Sequence, residues 1–81
     1  MHEYALVQDL IEQVLTTMRT QRLSLAKSIE VNVGSSSGFS AESIKQAYEI
    51  LSAETELNGA TLVIKEVDGR DVVLQRMTLE E

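Results

Sequence analysis

The apolar residues of this chain change period along its length, and that change bounds the fold. At Val7, Leu10, Ile11, Val14, Leu15 and Met18 they recur every three or four positions, with Gln8, Asp9, Glu12, Gln13 and Thr16 on the opposite side. That is one stripe of an amphipathic helix. It is expected from His2 to about Met18, with Glu3 in the first turn, where a carboxylate suits the helix dipole. After a polar connection at 19–27, Ile29, Val31 and Val33 alternate with Glu30 and Asn32. A period of two marks a half-buried strand, here ending at Gly34.

Helical spacing returns at Ile44, Ala47, Tyr48 and Leu51. Ser40 is placed to cap that helix, and Phe39 to pack on Ile44 as a staple. The helix is expected to run to about Ala53. Asn58-Gly59 is a turn signal, and Ala60, Leu62 and Ile64 then alternate with Thr61, Val63 and Lys65. Val67-Asp68-Gly69-Arg70 reads as a tight hairpin, because Asp-Gly tolerates positive φ. The last strand is expected over about Asp71–Leu79. Its apolar phase slips between Leu74 and Met77, which predicts a bulge near Gln75-Arg76. The expected class is α+β, order αβαββ, with two helices on one face of a three-stranded mixed sheet.

The chain of 81 residues suffices for one small domain, 1–81, which buries about 60–65% of its unfolded surface. It contains no cysteine, so disulfides, thiolate zinc sites and cysteine nucleophiles are excluded together. A net charge of -6 opposes nucleic acid and anionic membranes as partners. The apolar runs are too short for a transmembrane helix. Met1-His2-Glu3-Tyr4 has neither a basic start nor an apolar signal core, so a cytoplasmic protein is expected.

Gly34-Ser35-Ser36-Ser37-Gly38 matches the G-x-S-x-G elbow of hydrolases. The one histidine, His2, precedes the serine, against that fold's order, and the chain is too short for the sheet. An ordinary capped loop is the better reading. Glu54 with Glu56, and Glu80 with Glu81, read as solvated carboxylates. No enzyme is expected.

Several landmarks together resemble the HypA/HybF family of hydrogenase nickel-incorporation proteins. They are the Met1-His2-Glu3 start; Ile29-Glu30-Val31-Asn32-Val33-Gly34 with Ser37-Gly38; Glu42, Ala47 and Tyr48-Glu49; and Thr55, Gly59-Ala60, Leu62, Ile64 and Glu66. Gly69-Arg70-Asp71-Val72, Leu74 and Met77 through Glu80 complete the series. No single motif is specific, but their order and spacing are, and they span nearly the whole chain. The resemblance implies a nickel-binding accessory protein for nickel-iron hydrogenase, with a nickel-handling GTPase and the hydrogenase large subunit as partners. Family members carry a zinc domain with two cysteine pairs before the closing strand. Here Asp68-Gly69 stands at that point, so the chain looks like a HypA nickel domain without zinc.

The start of the chain suits that role chemically. The Met1 amine, the His2 amide nitrogen and the His2 imidazole can chelate one ion, and the Glu3 amide can complete a plane. Nickel(II) and copper(II) favour such tetragonal nitrogen sites. The first amides of a helix lack intrahelical partners, so a metal can use them without breaking the helix. The Glu3 carboxylate is an alternative ligand or a supporting group. A lone terminal histidine is a weak metal signal by itself, and the resemblance is what strengthens it. The metal set is thus Met1, His2 and Glu3. The competing reading is a metal-free interaction module on the same fold, for example a homodimer.

Overall fold

The structure is a computed structural model, and it describes residues 3–22 and 26–79. Helix α1 spans Glu3–Thr20, strand β1 Ala26–Gly34, helix α2 Ala41–Ser52, strand β2 Thr61–Val67 and strand β3 Val72–Leu79. The order αβαββ is as expected. Among the described residues no helix is long and apolar enough to cross a membrane.

Both helices form where the apolar stripes lie. In α1, Val7, Leu10, Ile11, Val14, Leu15 and Met18 are all buried. In α2 the N-cap is Ser40, whose hydroxyl accepts from the Ser43 amide at 3.1 Å. Phe39, just before it, packs partly buried against the core that contains Ile44. Strand β1 buries Ile29, Val31 and Val33 to 2% exposure or less, while Ser28, Glu30 and Asn32 point to the other face of the sheet. The helices therefore cover one face of a sheet whose second face is open.

Strand order is β2-β1-β3, with β2 parallel to β1 and β3 antiparallel to it. The most deeply buried strand takes the centre, where both its neighbours can pair. Between β1 and β2 runs α2, as a parallel connection requires. This corrects the expected hairpin at Asp68-Gly69. Strands β2 and β3 do not pair. They lie on opposite sides of β1, so residues 68–71 cross over its end instead of folding back.

Gly34 is where the crossing happens. Its amide donates to the Asp71 carbonyl at 2.8 Å, Ser35 N–H to the Val67 carbonyl at 2.7 Å, and Ser36 N–H to the Gly69 carbonyl at 2.8 Å. A Cβ on Gly34 would sit 2.4 Å from the Gly69 carbonyl oxygen. The serine loop thus spends its amides on holding the crossing chain. That disposes of an oxyanion role for this G-x-S-x-G match.

The expected bulge is present. Glu30 pairs with Arg76 and Val31 with Leu74, which leaves Gln75 as an extra residue in β3. Its side-chain carbonyl accepts from the Asn32 amide at 3.1 Å. A second irregularity leaves Lys27 unpaired in β1. In the core, Tyr48 donates its hydroxyl to the Ala60 carbonyl at 3.1 Å. Burial pushes its phenol above the usual value, and a hydrogen bond to the Ser52 side chain partly opposes this.

Candidate metal centre

Of the three residues expected to bind metal, Met1 and His2 lie outside the described residues. Glu3 is the first residue of α1 and is half-buried. The apolar stripe behind it anchors the helix from Val7 onward, so the main chain at Glu3 leaves from a fixed point.

The surroundings of Glu3 come from the second helix. Glu3 and Tyr4 line a shallow recess with Ser43, Gln46 and Ala47. Farther along, Ile11 and Leu15 share a second recess with Leu51 and Thr55. Arg19 reaches Glu56 at 3.5 Å, an exposed pair of little energetic weight. The two helices therefore run parallel, with both N-termini at one end of the sheet. Helix α2 starts after the loop that follows the C-terminal end of β1, so this is also the end where residues 68–71 cross Gly34. Glu3 thus lies at the same end of the molecule as Asp68-Gly69.

Two helix N-termini side by side create a positive field. Such a field favours anions and opposes a bare cation. A metal is compatible with it only if the ligands bring negative charge, through the Glu3 carboxylate or through amide nitrogens that lose their protons on binding. Among the described residues no group of three His, Cys, Asp or Glu side chains is arranged to hold a metal. Of the recess residues, Ser43 already exchanges a hydroxyl contact with Ser40 at 2.9 Å, which leaves Gln46 and Tyr4 as polar neighbours of Glu3. Tyr4 follows Glu3 on the same helix, whereas the sequence offered no signal for Gln46, which meets Glu3 only through the parallel packing of two helices far apart in the chain.

The chain matches the family model described as hydrogenase/urease nickel incorporation, metallochaperone, HypA, over residues 1–72. It is similar to the hydrogenase maturation factor HypA of Chlorobaculum parvum, at 34% identity over 84% of this chain and 60% of the relative. The corresponding protein of Beijerinckia indica is 28% identical over 85% of this chain and 61% of the relative. The chain thus spans about three fifths of the length of these curated relatives. Its fold is like that of the solution structure of the Ni metallochaperone HypA from Helicobacter pylori. The TM-score is 0.76 at 21% identity, covering 94% of this chain and 72% of that one. A second HypA solution structure gives a TM-score of 0.69 at the same coverage of this chain, 94%. With the family model matched from Met1 through the start of β3, this chain belongs to the HypA family.

Proposed function

We propose that this chain is a nickel-handling domain that binds nickel(II) through Met1, His2 and Glu3 and releases it during assembly of nickel-iron hydrogenase. The observation that carries this reading is the family match, which includes the Met1-His2-Glu3 segment itself. The structure supports it in one respect: Glu3 opens α1, so its amide needs no helical acceptor and is free to serve as a ligand. The recess formed with Ser43 and Gln46 leaves that end accessible to a receiving site.

A nitrogen plane at a chain end is open on both faces. A competing ligand can approach it axially, which suits transfer better than storage. The receiver is a hydrogenase large subunit and the accompanying partner a nickel-handling GTPase, both in the cytoplasm. These 81 residues contain no cysteine, so they offer no thiolate zinc site of their own.

Nickel titration tests this. Protein with a free N-terminus is expected to bind one nickel(II) with the absorption of a planar nitrogen complex. One residue added before Met1, or His2→Ala, abolishes that signal. Binding weakens as the pH falls below about 6.5, where the imidazole takes a proton. A chelator leaves the circular dichroism unchanged. Equal binding by all three proteins, or by none, removes the metal assignment.

A further inference from the structure

Among the described residues the large apolar side chains left exposed divide between the two faces of the fold. Val63 and Val73 pair beside Glu30 and Asn32 on the open face of the sheet. Tyr4, at 51% exposure, and Ile50, at 62%, stand on the outer surface of the helices instead. Those two border a single groove. The recess beside Glu3 holds Tyr4 and Ala47, and the next recess holds Gln8 and Leu51, one helical turn farther along α1 and α2. The recesses are thus successive stretches of one channel between the parallel helices. It runs from Glu3 to Thr55, about 20 Å by the rise of a helix. Ile11, Leu15, Ala47 and Leu51 make its floor apolar, and Ile50 stands on its α2 rim, one turn beyond Gln46. No other described helix or strand covers it.

Passing a metal by ligand exchange brings the receiver's ligands within bonding distance of the ion. The receiver's surface then rests on whatever adjoins Glu3. The crossing at residues 68–71 shares that end of the molecule, but it offers Asp68, Gly69, Arg70 and Asp71. The groove offers exposed apolar surface, and it begins at Tyr4, the residue after Glu3. We propose that this groove seats an amphipathic helix of the nickel receiver, with Tyr4 and Ile50 as the apolar anchors. That assignment rests on nickel(II) being the cargo of this chain.

The groove fixes three properties of its occupant. Its length takes about four helical turns. Its shape takes apolar side chains at helical spacing along one stripe, the ordinary pattern of a helix seated in a groove. Its field sets direction and charge. Both α1 and α2 point their N-termini toward the Glu3 end, so a third helix is favoured antiparallel to them. Its C-terminus, the negative end of its own dipole, then lies beside Glu3, next to the metal. The charged residues in the two recesses are Glu3 and Glu12, with no cation among the lining. Lysine or arginine beside the apolar stripe of the incoming helix complements them.

The test measures binding of the metal-free chain to the nickel-free precursor of the hydrogenase large subunit by fluorescence anisotropy. The parent is expected to bind, and more weakly as salt rises. Ile50→Lys raises Kd about tenfold with unchanged circular dichroism. Val73→Lys, the same change on the opposite face, leaves Kd at the parent value. Glu12→Lys reverses a charge in the groove and also weakens binding, which decides the matter if Ile50→Lys does not fold. Loaded with nickel(II), Ile50→Lys and Val73→Lys keep the parent's absorption and yield the ion to EDTA at the parent's rate. Transfer to the precursor slows for Ile50→Lys alone. Parent affinity in folded Ile50→Lys, an equal loss in Val73→Lys, or no binding by the parent at about 100 μM overturns the proposal. A parent dimer that Ile50→Lys dissolves gives the groove to a second copy and overturns it too. The two assignments fail separately. A parent that takes up nickel but ignores Ile50 loses the groove, and one that docks through Ile50 but takes up no nickel loses the metal.

Discussion

Replacing Gly34 with alanine tests whether the crossing at residues 68–71 holds the sheet together. The added Cβ meets the Gly69 carbonyl oxygen at 2.4 Å, the Gly69 carbonyl carbon at 2.6 Å and the Arg70 nitrogen at 2.9 Å. All three are main-chain atoms, so no side chain can swing away. Ordinary contact begins about 1 Å farther out, and the crossing must lift by that much. The lift stretches the Ser36–Gly69 bond at 2.8 Å beyond hydrogen-bond range and strains its neighbours from Gly34 and Ser35. Each such bond contributes about 0.5–1.5 kcal/mol, and a buried group left without a partner costs more.

The expected loss for Gly34→Ala is therefore about 2–4 kcal/mol. Total stability for a domain of 81 residues is about 4–12 kcal/mol, so the loss is a large share of it. Urea unfolding followed by circular dichroism reads it as a lower midpoint at constant slope. Gly59→Ala is the comparison: its Cβ meets nothing within 4 Å, and only its φ of +92° opposes a side chain. That variant should lose about 1 kcal/mol. A Gly34→Ala midpoint within about 0.5 kcal/mol of the parent would refute the crowding.

Other expectations follow from single bonds. Tyr48→Phe removes the donor to the Ala60 carbonyl and should cost about 1 kcal/mol at neutral pH. Burial holds the Tyr48 phenol above its ordinary 10.0, so the neutral form stabilises the fold below pH 10.0, and this contribution fades as the pH climbs through the raised value. The gap between parent and Tyr48→Phe should therefore narrow in alkali, and a gap that widens would contradict the burial. Ser40→Ala removes the cap on the Ser43 amide and should cost about 1 kcal/mol by urea midpoint. Ser43→Ala loses just a hydroxyl contact to Ser40 and should cost less; equal losses would mean that Ser40 does not act as the cap.

Element by element, the chain's local pattern determined a great deal. Helix α1 was expected to Met18 and runs to Thr20; α2 was expected to about Ala53 and ends at Ser52. Ser40 caps as its position suggested, and the phase slip before Met77 located the bulge at Gln75. These features are legible because each depends on which side of one element meets the core, and periodicity records that directly. Strand β1 begins at Ala26, earlier than the alternation at Ile29 suggested, because the last strand pairs with it that far.

Tertiary structure alone decided who neighbours whom. Asp68-Gly69 carries the same turn chemistry whether it folds β3 back onto β2 or carries it across β1. The choice was made by β1, whose burial on one face and pairing on both sides claims the centre of the sheet. From that choice follow the need for glycine at position 34, the open edge at β2, and the end of the molecule that Glu3 shares with the crossing. At the proposed metal site, Met1, His2 and Glu3 were chosen from ligand chemistry and resemblance, while Gln46 entered through helix packing. A residue's own period tells how it turns toward the core, but not which distant segment will meet it there. That depends on how the buried faces of all five elements can be covered at once.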